Sequence, residues 1–522
     1  MELDTPLLQL SPDDYFTLRD ACQGVSIVGG IGSGKTSGSG AALAMAYLRA
    51  GMGGLVLCAK PEEAALWRQY AQAARRADSL ITFSSQEGSF NFLAYELARQ
   101  GGDGLNSVVE CLMRVLEAAH QASPSPGRAG ERFWEDTTRQ LLRHCIPVLH
   151  AATGTVTIAD IIRFVRGAPQ RREELGDPAW QAQSFFYQAS DRARHVLGTT
   201  RTVELMRYWA EDFARLDPKT RGNIAISLST SLDRFQHGWL RRAFCGEVTL
   251  VPELCFQGAI ILLDMPALRL NEDGIIAQQV FKYLWQRAVL NRNALPPAHR
   301  QRPVFLWADE CQYFINSYDA EYQSTCRGSR ACTVYLTQSL PTFYATIGGE
   351  QPRDRAQHLL GNFATRVFHS TSCPETQEWA ARTIGRALQR RANYSEGESA
   401  SWNDGLSRGE NVTRGGSRGR SGSSGTSMGP GGSSSTTGGG WNAGSSWGSG
   451  ENWGENRGSG NSSSTNRGYA EQMDYVIEPA AFGSALMTGG SANGNQVSAI
   501  WYQAGRQFRR SGRNFLLARF QQ

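Results

Sequence analysis

Hydrophobic positions along the 522-residue chain fall into distinct patterns. Short, largely apolar runs occur at 25–28, 55–58, 259–263, 304–307 and 333–336, the last three closely followed by polar residues. Such runs mark strands buried on both faces, as in the middle of a parallel sheet. From about 105 to 240 the apolar residues recur instead at helical spacing, as in Val108, Leu112, Val115 and Leu116. Thr157, three residues before Asp160, predicts a helix start ahead of Ile161, Ile162 and Val165. From 393 to 468 Gly, Ser, Asn and Thr dominate, with Trp402, Trp441, Trp447 and Trp453 scattered among them. That composition buries too little surface to fold alone and predicts a disordered insertion. Beyond it, 496–503 and 514–519 read as two closing strands around a turn at Ser511-Gly512.

Strand, glycine-rich turn, helix and strand follow one another over 24–60, the opening of a parallel α/β sheet. The expected organisation is an α/β domain in two parts, 1–104 and 245–392, split by a mainly helical insertion at 105–244. The disordered insertion at 393–468 and C-terminal strands at 469–522, completing the core, follow.

Composition adds three points. The 53 basic and 48 acidic residues give a net charge of +5, which permits a local basic surface without demanding a nucleic-acid partner. Only four of the basic residues are lysines, Lys35, Lys60, Lys219 and Lys282, so a lysine here marks a position with a task. The ten cysteines show no C-x-x-C pair and no zinc-like spacing, and read as reduced packing residues. The longest apolar runs fall far short of the roughly 18 to 20 residues of a membrane span, and no signal peptide is visible; a soluble, cytoplasmic protein is expected.

Gly29, Gly30, Ile31, Gly32, Ser33, Gly34, Lys35 and Thr36 fit G-x-x-x-x-G-K-[ST]. Glycines let backbone N–H groups turn inward around phosphate, the lysine reaches the terminal phosphates, and the hydroxyl ligates Mg2+. The flanking strand and helix put a helix N-terminus against the same phosphates. An ATP site of this kind also needs a carboxylate for the ion and a group to orient water. Asp309 and Glu310, directly after the apolar run at 304–307, offer both. The run at 333–336 ends in Thr337-Gln338, which sets the Gln338 amide beside this pair if the two strands are neighbours.

At this level the sequence resembles the type IV coupling proteins, the ATPases of conjugative DNA transfer and type IV secretion, within the HerA/FtsK group of DNA-pumping motors. The resemblance rests on the loop at 29–36, the 55–62 segment, Phe90-Asn91-Phe92-Leu93, Phe133-Trp134 and Leu262-Leu263-Asp264-Met265-Pro266. Its most specific part is Trp307-Ala308-Asp309-Glu310, then Cys326-Arg327-Gly328, then Leu336-Thr337-Gln338-Ser339. It implies a RecA-like fold, ATP and Mg2+ as cofactors, and catalytic roles for Glu310 and Gln338. Arg327 or Arg330 would act as an arginine finger on a neighbouring subunit's nucleotide, in a homohexamer. The implied partners are DNA, a relaxase or other transfer substrate, and a type IV secretion channel or a separate membrane anchor protein. Two departures stand out. The family's Asp-Pro-Lys-Gly-Glu segment keeps Lys60 and Glu62 here but loses the aspartate, and the family's leading transmembrane helices have no counterpart, so a soluble member is expected, recruited to the inner membrane by a partner. Two other readings are an ATP-dependent platform for protein substrates and a DNA translocase outside conjugation. The segment at 393–468 reads as a neutral linker, its six arginines matched by six acids, despite RGG-like Arg414-Gly415-Gly416.

Overall fold

The computed structural model describes the backbone of residues 1–100, 104–122, 131–347, 351–406, 411–429, 432–450 and 455–522, and their side chains except at 100, 121–122, 131–132 and 390–470. The chain divides into two compact units, one of residues 1–369 with 489–522 and one of 370–488.

The predicted apolar runs become strands of a single sheet in the first unit. In chain order these are β1 (Val25–Val28), β2 (Gly53–Leu57), β3 (Leu80–Ser84), β4 (Ile260–Asp264), β5 (Val304–Ala308), β6 (Ala331–Thr337), β7 (Thr365–Phe368), β8 (Gln496–Gln503) and β9 (Phe515–Gln521). Their spatial order is β9-β8-β7-β1-β6-β5-β2-β4-β3. From β7 to β3 all neighbours run parallel, while β8 and β9 form an antiparallel hairpin added at β7. Every residue of β1, β2, β5 and β6 is buried, as strands covered on both faces require.

On one face lie α1 (Ala41–Arg49) and α2 (Pro61–Ala73). Trp67 of α2 stacks on Phe305 at 5.7 Å and meets Trp307 edge-on at 5.3 Å, so α2 is pinned to alternate residues of β5. The region between β3 and β4 is helical, and among the described residues from 85 to 259 there is no strand. Its longer helices include α3 (Gly104–Ala122), on which Val108, Leu112, Val115 and Leu116 are all fully buried. Helix begins at Phe92, ahead of the expected 105, because the Phe92 ring packs on Phe235 and Phe244 from the far end of the insertion. Thr157 caps the helix Ile158–Arg166 as expected, accepting a hydrogen bond from the Asp160 N–H at 3.1 Å.

The opposite face of the sheet carries α4 (Ala267–Asn291), which is kinked at Asn271 (φ 52°). Its Gln278 reads the β2 end, accepting from the Cys58 N–H at 2.8 Å and donating to the Cys58 carbonyl at 2.9 Å. One turn further on, the buried ammonium of Lys282 contacts the Asp319 carboxylate and the Phe314 carbonyl. Asp319 also accepts from Gln286 (2.7 Å), Tyr335 of β6 (2.8 Å) and the Asn316 N–H (2.7 Å). The chain ends are knitted together too. Asp14, in an N-terminal hairpin, accepts from the backbone of Arg509 (2.7 Å) and Arg510 (3.1 Å), and Asp20 accepts from Gln503 (2.6 Å) and Arg506 (2.8 Å).

In the second unit the helix Pro374–Ile384 is followed by four long antiparallel strands, Arg386–Leu406, Asn411–Gly429, Gly432–Gly450 and Glu455–Tyr475. The described part of 393–468, expected as a disordered insertion, lies on these strands. The tryptophans and arginines singled out there lie outside the described side chains. All ten cysteines are free; Cys22 and Cys332 bring their sulfurs to 3.7 Å without a disulfide.

The Lys282–Asp319 pair generates a stability prediction. Asp319→Ala leaves a buried ammonium without its counter-charge and should cost about 3–5 kcal/mol in urea unfolding. The double variant Lys282→Met with Asp319→Leu, which removes both charges, should cost clearly less.

Candidate nucleotide site

Because β1, β6, β5 and β2 are consecutive and parallel, their C-terminal ends open on one edge of the sheet. Each contributes a segment: β1 runs into 29–36, β6 into Gln338, β5 into Asp309 and Glu310, and β2 into Lys60. Residues far apart in sequence therefore converge.

In the loop, Gly32 (φ 72°) and Gly34 (φ 79°) occupy the left-handed region that favours glycine. A Cβ on Gly34 would also lie 2.5 Å from Val497 of β8. Lys35 is buried, while Ile31 at the loop tip is almost fully exposed. Behind the loop, His369 follows β7 directly. Its Nε2 lies 2.6 Å from the Ser39 hydroxyl, and complete burial pushes its pKa down to about 3. The imidazole is thus a neutral prop under the helix that leaves the loop.

Thr36 Oγ1 donates to Asp309 Oδ2 at 2.5 Å, placing two hard oxygen ligands together at the loop's end. Glu310 adopts φ 48°, ψ 47°, a left-handed conformation costing about 1–2 kcal/mol for a residue with a Cβ. Its carboxylate is almost completely enclosed by donors. Oε1 accepts from Lys60 Nζ (2.8 Å) and Gln338 Nε2 (3.0 Å), with Lys35 Nζ at 3.7 Å. Oε2 accepts from Gln312 Nε2 (3.0 Å), which is itself oriented by the Thr337 hydroxyl at 3.0 Å. Burial alone would raise the pKa of Glu310; the bonds from Lys60, Gln312 and Gln338, with the charge of Lys35, outweigh it and hold the pKa down to about 2.

Glu63 behaves in the opposite way. Burial first, then the negative charge of Asp309, pushes its pKa up to about 8. Its Oε2 accepts from the Ala59 N–H at 2.8 Å, and its buried Oε1 has no partner. Near neutral pH it is largely protonated.

The structure therefore brings together Gly29, Gly30, Ile31, Gly32, Ser33, Gly34, Lys35, Thr36, Asp309, Glu310 and Gln338. The expected proximity of Gln338 to the acidic pair holds because β6 and β5 are neighbours. Arg327 and Arg330 are not part of this cluster. They precede β6, whose seven residues carry the chain roughly 20 Å across the sheet before Gln338. Arg330 (φ 50°) donates to the carbonyls of Met1 (2.9 Å) and Gln301 (3.0 Å). Arg327 is exposed, beside a pocket of about 250 Å³ shared with Leu3, Arg19, Cys22, Gly328 and Arg330. Sequence reasoning missed Gln312, Glu63 and His369, ordinary polar residues with no spacing to mark them. For Lys60 the rarity of lysine was a usable signal.

Residues 303–426 match a family model described as the TraM recognition site of TraD and TraG. Over the whole chain the fold is similar to the bacterial conjugative coupling protein TrwBdeltaN70 in its unbound monoclinic form, at 12% identity and a TM-score of 0.53, covering 99% of this chain and 88% of that one. TrwB complexes with the GTP analogue GDPNP and with ADP and Mg2+ match at 15% identity over 71% of this chain and 76% of theirs, with TM-scores of 0.45 and 0.46, too low to add to the argument. No curated protein sequence matches the chain.

The two perturbed glutamates give opposite pH dependences. Glu310, lowered from 4.5 to about 2, contributes stability above pH 4.5 that is lost as the pH falls through that range. Glu63, raised from 4.5 to about 8, retains its proton in the fold, so its contribution is present below pH 4.5 and is lost as the pH rises toward 8. Glu63→Gln should therefore gain on the wild type with a slope of up to about 1.4 kcal/mol per pH unit between pH 5.5 and 7.5. Unfolding free energies at the two pH values check this; a constant difference would contradict it.

Proposed function

We propose that the chain is a member of the type IV coupling protein family, an ATP-hydrolysing ring motor that moves DNA, as a relaxase-bound single strand, in conjugative or mobile-element transfer. One observation carries this reading. Three separate strand ends deliver a phosphate loop, a hydroxyl–carboxylate pair and a glutamate–glutamine pair to one sheet edge.

Each residue then has a role. The loop N–H groups at 29–34 receive the phosphates of ATP, and Lys35 neutralises the terminal ones. Thr36 and Asp309 would hold Mg2+, whose charge would stabilise the transferring phosphate. Among the described residues no cluster of three or more His, Cys, Asp or Glu side chains could hold a metal without the nucleotide. The two protein oxygens suit an ion that keeps waters and phosphate oxygens in its shell. Glu310 and Gln338 orient the attacking water.

Arg327 supports a ring. It lies across the sheet from its own loop, so it reaches a nucleotide only from a neighbouring subunit, as in a homohexamer. Arg330 is engaged by two backbone carbonyls, which leaves Arg327 as the finger. The match at 303–426 supports recruitment through relaxosome proteins, with the type IV secretion channel as the destination. We further propose that the protein works in the cytoplasm, recruited to the inner membrane by a partner.

Purified protein should hydrolyse ATP faster with single- or double-stranded DNA than without. Hydrolysis indifferent to both would leave an ATP-dependent platform for protein substrates. Lys35→Ala should lose ATP binding, whereas Glu310→Gln should bind ATP and hydrolyse it about 10²-fold more slowly or worse, since positioning and electrostatics dominate phosphoryl transfer.

Arg327→Ala should be inactive alone and regain part of the rate when mixed with Lys35→Ala subunits, because an intact finger and an intact loop then meet at some interfaces. ATPase rates across mixing ratios test this; no recovery at any ratio argues against action between subunits.

A further inference from the structure

Beside Lys35 of the loop, Lys60 is the second ammonium group on Glu310. It sits in the segment where the family's aspartate is missing, and it is one of only four lysines in the chain. The other three fall into clear classes. Lys35 belongs to the phosphate loop, Lys282 is sealed in the Asp319 network, and Lys219 is exposed at the start of a helix in the insertion.

The Lys60 ammonium lies 2.8 Å from Glu310 Oε1, closer than Lys35 at 3.7 Å. The two lysines differ sharply in freedom. The Lys35 side chain is 8% exposed, that of Lys60 39%. Lys60 therefore holds the buried carboxylate from the solvent side of the edge and has room to leave it.

Formal charges say when it would leave. Lys35, Lys60, Asp309 and Glu310 sum to zero, so the edge is balanced without a ligand. A triphosphate with one divalent cation adds about two negative charges at the loop. Of the two ammonium groups, Lys60 alone is half-exposed at this edge. Glu310 meanwhile has both oxygens engaged, and Oε1 in particular carries Lys60 as well as Gln338. A carboxylate so engaged orients water poorly until one donor withdraws.

We propose that Lys60 is a positioning residue that senses the terminal phosphate. Its ammonium exchanges Glu310 for the γ-phosphate of ATP, freeing Glu310 Oε1 only when a triphosphate is bound. ADP, lacking that phosphate, leaves Lys60 on Glu310. The proposal rests on the reading of this edge as an ATP site.

The test is equilibrium binding of ADP and of a non-hydrolysable ATP analogue, each with Mg2+, to full-length wild type, Lys60→Met, Lys60→Arg and, as a remote control, Lys219→Met. The wild type and Lys219→Met should prefer the analogue. Lys60→Met should lose about tenfold or more in analogue affinity, the scale of one charge-assisted phosphate contact, with ADP affinity unchanged. Lys60→Arg should restore part of the preference. Equal losses for both nucleotides in Lys60→Met would reduce Lys60 to a prop of the site, and an unchanged preference would remove it from nucleotide sensing; either overturns the proposal alone. A wild type that binds neither nucleotide overturns the ATP-site reading along with it.

Discussion

A buried carboxylate kept ionised is the constraint around which this molecule is arranged. Glu310 is removed from water and would favour its neutral form there; it stays charged because donors arrive from two other strand ends, Lys60 after β2 and Gln338 after β6, and from Gln312 on its own turn. Lys60 and Gln338 are useful only if β2, β5 and β6 hold their mutual register, so sheet order and site electrostatics are one requirement. The left-handed backbone at Glu310 belongs to the same arrangement, a local cost carried by the surrounding bonds.

The same turn links the site to the helical insertion. After Cys311–Tyr313 the chain reaches Asn316 and Ser317, where the Ser317 N–H donates to Glu117 of α3 at 3.2 Å and Arg114 donates to the Ser317 hydroxyl at 2.5 Å. Directly beneath, Asp319 gathers Lys282 and Gln286 from α4 and Tyr335 from β6. A shift at Glu310 thus meets a buried, densely hydrogen-bonded polar cluster, where breaking a bond would be costly. His369 has a comparable part behind the phosphate loop, neutral and buried against Ser39.

The insertion shows how much of its form is local. Its helical periodicity and the Thr157 cap were legible because both depend on neighbours a few residues away. Its boundary was not, since Phe92 joins the helical region through rings more than 140 residues further along the chain.

By itself the sequence determined the α/β class, the buried strands, the phosphate loop and the acidic pair, because short apolar runs, glycine spacing and residues adjacent to a strand end are local signals. Strands β3, at the edge of the sheet, and β7, between β8 and β1, were harder to see, since partly exposed polar residues such as Thr82 and Arg366 break the run. Only the tertiary structure decided that β6 lies between β1 and β5, that Arg327 stands at the far end of the sheet from Gln338, and that Lys60, Gln312 and Glu63 surround the acidic pair. Strand order is set by packing between distant segments, and a polar side chain's partner is set by strand order; neither leaves a mark at fixed spacing along the chain.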